Sequence, residues 1–176
     1  MRNLDYGIIG NCQSAALINK NGSIDWCCLP KFDSPSVFGK LLDENKAGSF
    51  EIIVDSSYTT TQKYVYKTNI LVTEFDNGED TFEVIDFMPR YLTEDNVQLS
   101  PAEIVRYIKH IKGKPKFRVK YDPKMGYAKQ ELKSSDKGEY IKTKTTTGDY
   151  DSVYLYSSFR HSTQPADARH VPAPTG

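Results

Sequence analysis

The sequence predicts an all-β fold, built as an antiparallel sandwich or barrel, from three observations. Many segments alternate apolar and polar residues, and they are rich in the β-branched and aromatic residues that favour strands. Turn residues separate these segments and keep them short. Two of the turns contain Asn-Gly, at 21–22 and 77–78, and both of these residues tolerate the positive φ that a tight hairpin needs. Numerous short strands joined in this way indicate packed or closed antiparallel sheets.

The predicted strands run from the first hairpin to about residue 159. The strand after the Asn21-Gly22 turn places alternate residues on opposite faces, with Ile24, Trp26 and Cys28 on one and Asp25 and Cys27 on the other. Further strands are predicted at residues 49–54, 58–66, 69–75, 81–88, 103–111, 114–121, 139–147 and 151–159.

One segment predicts a short helix near 34–44. In SPSVFGKLLDE, Ser34 suits the N-cap and Pro35 the first helical turn. Two apolar pairs then fall four residues apart on one helix face, Val37 with Leu41 and Phe38 with Leu42.

The chain divides into one domain, residues 1–159, and a segment of different character, residues 160–176. A domain of this length can bury an apolar core without disulfides or metals. The second segment, RHSTQPADARHVPAPTG, has three prolines, small residues and no periodicity. It predicts a linker, a disordered tail or an added tail that is foreign to the fold.

Composition argues against nucleic acid and membranes as partners. The 23 basic and 23 acidic side chains cancel, and no apolar run is long enough to span a bilayer. The basic segment 109–121 alternates charged and apolar residues, which is typical of a solvated strand face. The N-terminus lacks the apolar core of a signal peptide, and the odd cysteine count favours reduced thiols. We therefore expect a cytoplasmic protein.

The sequence gives no reason to assign a metal, a cofactor or a catalytic residue. Cys27 and Cys28 are neighbours on a strand, so they point apart and cannot chelate one ion. No nucleophile, phosphate-binding or zinc motif surrounds the three histidines, which are His110, His161 and His170. Five aspartates are available for a carboxylate pair, but sequence alone cannot pair them: Asp25, Asp33, Asp43, Asp76 and Asp86.

A longer pattern carries a family resemblance. Residues 6–43, YGIIGNCQSAALINKNGSIDWCCLPKFDSPSVFGKLLD, resemble the N-terminal region of bacterial and archaeal glycoside hydrolase family 15 proteins, the glucoamylase-like and trehalase-like group. The similarity continues through residues 63–75, 84–90 and 103–128. Its most specific part is GSIDW followed by LPKFDSPSVF.

The resemblance implies a large antiparallel β-sandwich, or supersandwich, followed in the family by an (α/α)6 barrel. That barrel carries the two catalytic glutamates of an inverting mechanism. The resemblance therefore implies a non-catalytic N-terminal accessory domain, inactive alone, of an α-glycosidase that acts on α-glucans, oligosaccharides or trehalose. The (α/α)6 domain is the implied partner.

Four residues near the start remain as candidate site residues. Trp26 lies on the first hairpin, and Lys31, Phe32 and Asp33 lie on the loop LPKFDSP that follows it. Strand ends and turn rules explain the prolines of this loop but not these side chains. Three interpretations stay open: a seam against the catalytic barrel, one wall of its sugar site, or a plain surface loop.

Two alternative functions also stay open. A stand-alone carbohydrate-binding sandwich would present an open aromatic platform, for which Tyr64, Tyr66, Tyr154 and Tyr156 are candidates, although core packing also explains them. A purely structural or homo-oligomerising domain would bind no sugar.

Overall fold

The computed structural model describes residues 5–159 and 169–171, and in these residues it contains strands and turns but no helix. The all-β prediction is confirmed. The strands, numbered in chain order, are β1 (Tyr6–Gly10), β2 (Ala15–Asn19), β3 (Ile24–Cys28), β4 (Ser36–Phe38), β5 (Ser49–Ile53), β6 (Thr59–Tyr64), β7 (Leu71–Asp76), β8 (Thr81–Phe87), β9 (Tyr91–Leu92), β10 (Gln98–Leu99), β11 (Val105–Lys112), β12 (Phe117–Asp122), β13 (Leu132–Asp136), β14 (Tyr140–Thr145), β15 (Ser152–Tyr156) and β16 (Arg169–Val171).

These strands form three sheets and one small hairpin, and every pair is antiparallel. The first sheet has the order β1-β2-β3-β5-β12-β16, with β4 also paired to β3. The second sheet has the order β11-β8-β7-β6, and the third has the order β13-β14-β15. The hairpin is β9-β10. Most neighbours in a sheet are also neighbours in sequence, so tight turns make most of the connections.

Both Asn-Gly hairpins are confirmed. Gly22 joins β2 to β3 with φ +74°, and Gly78 joins β7 to β8 with φ +89°. At the second turn the side chain of Asn77 accepts the backbone N–H groups of Glu79 and Asp80. Positive φ at the glycines and this side-chain acceptor are the features that the Asn-Gly pattern predicts.

The predicted helix near 34–44 is wrong. Residues 36–38 form β4, in which Phe38 lies opposite Cys27 and Ser36 opposite Cys28. Val37 and Phe38 are adjacent and both buried, because both faces of this strand are covered. Turns follow through residue 46, and Leu42 is exposed. A doubly buried strand followed by turns therefore produced apolar spacing that resembles a helix face.

The core lies between the first and second sheets and forms two clusters. The first cluster is Ile9, Ala16, Ile18, Ile24, Cys27, Val37, Phe38, Leu71 and Met88. The second is Ile52, Phe75, Phe82, Val84 and Phe117. In the second cluster the rings of Phe75 and Phe82 stack with centroids 4.7 Å apart. Burial of these side chains from both sheets is what holds the sandwich together.

A buried ion pair lies where the two clusters meet along β8, since Asp86 falls between Val84 of the second cluster and Met88 of the first. Arg106 of β11 pairs with Asp86 of β8 through Nε–Oδ1 and Nη2–Oδ2 distances of 2.8 and 3.1 Å. The Arg106 guanidinium also donates to the carbonyls of Phe50 and Gly22 in the first sheet, so it joins the two layers. Burial raises the pKa of Asp86, and the neighbouring guanidinium opposes that rise.

Strand β1 ends the first sheet, and two side chains cover its open edge. The Tyr64 hydroxyl accepts the N–H of Ile8 at 2.7 Å and donates to the Ile8 carbonyl at 2.9 Å. Asn69 Nδ2 donates to the carbonyl of Gly10. Backbone groups of β1 that lack a neighbouring strand thus obtain partners from the second sheet and the loop beyond it.

The prediction for the tail 160–176 falls mostly outside the described residues. Within it, only β16 is described, and it pairs with β12 with Arg118 opposite His170. The interpretation as a linker or added tail stays a prediction.

Candidate functional site

The site region begins at a bulge in β3. On the neighbouring strand β2, Ile18 lies opposite Ile24 and the adjacent Leu17 lies opposite Trp26. Asp25, between Ile24 and Trp26, therefore has no residue of its own opposite it and is the extra residue of the bulge. Two residues of one strand then oppose one residue of the other, and the alternation of faces is reset.

The bulge corrects the predicted alternation along β3. Ile24 and Cys27 both lie in the first core cluster, although they are three residues apart. Trp26 therefore faces away from the core, beside Leu17. The expected grouping of Ile24 with Trp26 on one face is wrong, because it assumed an unbroken strand.

Asp25, the extra residue of the bulge, is buried and accepts several hydrogen bonds. Its carboxylate receives the Tyr6 hydroxyl at 3.0 Å, Asn19 Nδ2 at 2.8 Å and Ser23 Oγ at 2.5 Å. Its backbone carbonyl accepts the N–H of Leu41. A carboxylate with three donors is well compensated for its burial, and these contacts fix the β2–β3 hairpin.

An apolar row crosses the outer face of the first sheet, and we call it the outer ridge. Ile8 lies opposite Leu17, and Leu17 lies opposite Trp26, on three adjacent strands. The ring of Tyr127 continues the row, with its centroid 6.3 Å from that of Trp26. Ile8 and Tyr127 are exposed, and Trp26 is partly buried. The outer face of a sandwich is usually polar, so this row is unusual.

The loop after β3 presents the other three candidate residues. Lys31, Phe32 and Asp33 are all exposed. The backbone N–H of Phe32 donates to the Gln13 carbonyl at 2.9 Å, and that of Lys31 donates to Ser34 Oγ at 3.1 Å. Ser34 thus closes this turn and does not cap a helix. The backbone is fixed while the side chains point outward.

Asn11, in the turn between β1 and β2, hydrogen-bonds the two ends of the segment that holds β9 and β10. Its side chain is buried and donates to the carbonyls of Pro89 and Pro101, 3.3 and 2.8 Å away. Its Oδ1 accepts the N–H groups of Gln13 and Ser14. The β1–β2 turn (11–14), the loop 29–35 and the segment holding β9 and β10 therefore meet, and we call this region the loop end.

The loop end is apolar on its surface. Five large side chains there are between 40% and 63% exposed: Phe32, Tyr91, Leu92, Val97 and Leu99. Arg90 lies among them and donates to Cys12 Sγ at 3.1 Å and Gln98 Oε1 at 2.8 Å. Apolar residues with a polar rim are typical of surfaces that contact another protein.

Comparison with known protein families decides what kind of domain this is. The family described as "Trehalase-like, N-terminal" matches residues 5–158, which is nearly the whole described chain. The chain belongs to the trehalase-like N-terminal family. The resemblance to the glucoamylase-like and trehalase-like group is thereby confirmed.

Curated relatives of this trehalase-like N-terminal domain are much longer proteins. A trehalase of Thermoplasma volcanium is 35% identical over 161 residues, which cover 88% of this chain and 24% of that protein. A trehalase of Thermoplasma acidophilum is 36% identical, covering 64% and 19%. Trehalase 1 of Sulfolobus acidocaldarius is 48% identical, covering 47% and 14%. No solved structure matches the chain significantly.

The other aspartates of the trehalase-like domain hold local structure. Asp43 accepts the N–H groups of Asn45 and Lys46, and Asp76 accepts Gly78 N–H and Thr81 Oγ1. Asp86 is paired with Arg106, as described above. Asp33 is exposed on the loop end. Asp43, Asp76 and Asp86 thus have structural partners, whereas the exposed Asp33 has none among the described residues.

The three cysteines of the domain form no disulfide, and two of them are buried. Cys27 and Cys28 are buried, whereas Cys12 is exposed. Burial raises the pKa of the Cys27 thiol to about 12, so it stays protonated. Among residues 5–159, no group of His, Cys, Asp and Glu side chains is arranged to hold a metal ion. The described part of the chain also has no helix suited to crossing a membrane.

Sequence reasoning missed Asn11 and the β9-β10 hairpin. The hairpin strands are only two residues long and their pattern is too short to indicate a sheet. The signal that was available is the pair of apolar residues on each side of the TEDN turn, at 91–92 and 97–99. Phe32 is identified from sequence because the rules for strand ends and turns do not explain an aromatic residue there, and the structure shows that its ring is exposed.

Proposed function

We propose that this chain is the non-catalytic N-terminal domain of a glucoamylase-like or trehalase-like α-glycosidase. One observation carries the proposal: the Thermoplasma volcanium trehalase aligns with 88% of this chain, yet the aligned part is 24% of that protein. The remainder leaves ample length for a catalytic domain, for which the family resemblance implies an (α/α)6 barrel. Hydrolysis of an α-glucan, oligosaccharide or trehalose would take place there.

In this proposal the loop end packs against the catalytic domain. Its five apolar side chains are already about half buried, so full burial would gain roughly 1 kcal/mol each, before the cost of association. Lys31, Asp33 and Arg90 would form the charged rim of such a contact. The backbone bonds to Gln13 and Asn11 hold these segments in place, which lowers the entropic cost of docking.

The experiment mixes this chain with the separately expressed part of the Thermoplasma volcanium trehalase that it does not match. We expect no hydrolysis of trehalose or maltooligosaccharides by this chain alone, and hydrolysis when both parts are present. Turnover by this chain alone would refute the accessory role. The absence of both association and activity in the mixture would refute docking.

Variants locate the contact. Phe32→Ser and Leu92→Ser should each weaken association about tenfold, as central contacts do. Tyr107→Ser is the matched control, because Tyr107 is an exposed aromatic residue of β11 in the second sheet. A loss of turnover at unchanged association in Phe32→Ser would instead favour the loop as a wall of the sugar site.

We also propose a cytoplasmic location. The three unpaired cysteines support it, because exposed and buried thiols persist most readily in a reducing compartment.

A further inference from the structure

The third sheet carries a second unusual surface. Its inner face is covered, since Ile141, Thr143 and Thr145 of β14 are buried and Val153 of β15 packs against the first core cluster. The alternate residues must therefore face outward. Across β14 and β15 these form three register pairs: Tyr140 with Tyr156, Lys142 with Tyr154, and Lys144 with Ser152.

The first two of these pairs and one loop residue form what we call the tyrosine platform: Tyr140, Tyr150, Tyr154 and Tyr156 around Lys142. The ring centroid of Tyr140 lies 5.7 Å from that of Tyr154 and 5.2 Å from that of Tyr156. Lys142 Nζ lies 5.2 Å from the centroid of Tyr154 and 5.8 Å from that of Tyr150. Tyr150, Tyr154 and Tyr156 are 45% to 69% exposed, so core packing does not account for them.

Polar groups lie close together on the platform, where Ser152 Oγ is 3.4 Å from the Tyr154 hydroxyl. Lys142 Nζ donates hydrogen bonds to the phenol oxygens of Tyr150 and Tyr154, and these bonds raise the pKa of Lys142. In turn, the hydrogen bond with Lys142 lowers the pKa of Tyr150. Tyrosine has few rotatable bonds, so a fixed cluster of its rings binds a ligand at low entropic cost.

Charge argues against a phosphate polymer as the ligand. Residues 131–156, which include the third sheet, contain four lysines against five acidic residues. A surface that binds nucleic acid needs a clear basic excess to release counterions. The platform offers instead apolar ring faces bordered by phenol hydroxyls and one ammonium group. This combination suits a neutral ligand that has both C–H faces and hydroxyl groups.

We propose that the tyrosine platform binds a neutral saccharide chain, whose pyranose rings lie against the phenol rings. Lys142 and the phenol hydroxyls hydrogen-bond the sugar hydroxyls at the edges. The choice of a saccharide rests on the proposed function, while the platform itself belongs to the third sheet and shares no residue with the loop end. It would hold a long substrate on the domain in addition to the catalytic site.

Other exposed tyrosines lack this arrangement and provide a control. The hydroxyl of Tyr64 is engaged with the backbone of Ile8. Tyr66 is 82% exposed and has a lysine close by, with Lys67 Nζ 5.2 Å from its ring centroid. Tyr66 therefore matches a platform tyrosine in exposure and in its cation, but it has no neighbouring aromatic ring among the described residues.

The experiment is a calorimetric titration of the purified chain with maltoheptaose and with trehalose. We expect maltoheptaose to bind, and trehalose to bind more weakly because it covers fewer rings. The double variant Tyr154→Ala/Tyr156→Ala should lose affinity for maltoheptaose about tenfold or more, equivalent to about 1.4 kcal/mol. Tyr66→Ala should bind as the unaltered chain does.

Several results would overturn the inference. They are the absence of maltoheptaose binding, equal loss in Tyr66→Ala, or binding that survives the double variant. Circular dichroism checks that the double variant is folded, and Lys142→Met, which keeps the aliphatic stem, gives a second variant if it is not. Because the titration needs no catalytic domain, its failure is distinguishable from failure of the accessory role.

Discussion

At the scale of single residues, Arg106 is the most consequential side chain of the core. Its side chain is 5% exposed and that of its partner Asp86 is fully buried. Besides the ion pair, its guanidinium stacks over the ring of Phe50 at 4.8 Å. A buried charge that loses its partner is costly, whereas a pair replaced by apolar groups of similar volume often is not.

We therefore expect Arg106→Met to lower the free energy of unfolding by about 3–5 kcal/mol, because it leaves the Asp86 carboxylate uncompensated. The double variant Arg106→Met/Asp86→Leu should recover much of that loss. Lys109→Met, which breaks an ion pair with Glu83 between the same two strands at 50% exposure, should change stability by less than about 1 kcal/mol. Urea denaturation measures all three, and an equal loss for Lys109→Met would contradict this account.

Cys27 makes a separate prediction about alkaline pH. Its folded-state pKa of about 12 lies above the unfolded value, so the folded state keeps a proton that the unfolded state releases. Stability is then fully present below pH ~9 and falls as the pH rises towards 12, by up to about 1.4 kcal/mol per pH unit. Unfolding measured from pH 8 to 10 should show a shallower decline for Cys27→Ala. Parallel declines would show that the thiol does not titrate in this way.

At the scale of elements, the β2–β3 hairpin depends on the glycine in its turn. Gly22 has positive φ, and a Cβ there would lie 3.0 Å from the ring of Phe75. Gly78 also has positive φ, but nothing lies within 4 Å of its Cβ position. An alanine at position 78 therefore tests the cost of the left-handed backbone alone, whereas an alanine at position 22 tests that cost together with crowding against Phe75.

We expect Gly78→Ala to lose about 1–2 kcal/mol of stability from the left-handed backbone alone. Gly22→Ala should lose more, because Phe75 must also move and the Gly22 carbonyl that Arg106 binds moves with the turn. Thermal and urea unfolding of the two variants give the comparison. Equal losses would mean that the core accommodates the added methyl group.

The elements also show how far sequence reasoning reached. The hairpins and long strands were predictable because Asn-Gly turns and alternation are local signals. The segment at 36–38 was mistaken for a helix because a strand buried on both faces loses its alternation. The bulge at Asp25 was not predictable, since it is defined by the residues of β2 that lie opposite.

The candidate site was predictable to a similar extent. Phe32 could be singled out because the rules for strand ends and turns give an aromatic side chain no role at that position. Its neighbours at the loop end could not, because Asn11 joins Pro89 and Pro101 across about 80 to 90 residues of chain. Only the folded structure shows that these segments meet.

At the scale of the whole molecule, the core forms two apolar clusters and the two proposed surfaces lie on different elements. Each cluster contains residues from both the first and the second sheet. The loop end belongs to the first sheet and the β9-β10 segment, whereas the tyrosine platform belongs to the third sheet. Sites without shared residues are expected to act independently.

We therefore expect Leu92→Ser to leave maltoheptaose affinity unchanged, and Tyr154→Ala/Tyr156→Ala to leave association with the catalytic part unchanged. Both affinities are measured for both variants, with agreement within about twofold as the criterion for independence. A loss of sugar affinity in Leu92→Ser would show that the two surfaces are coupled or form one.

The hydroxyl of Tyr64 has a consequence beyond the fold. An uncovered outermost strand is a template on which identical chains stack into fibrils, and Ile8 would add an apolar side chain to such a stack. Because Tyr64 occupies both backbone groups of Ile8, that template is interrupted near its centre. We therefore expect the Tyr64 hydroxyl to limit edge-to-edge pairing between copies of this chain.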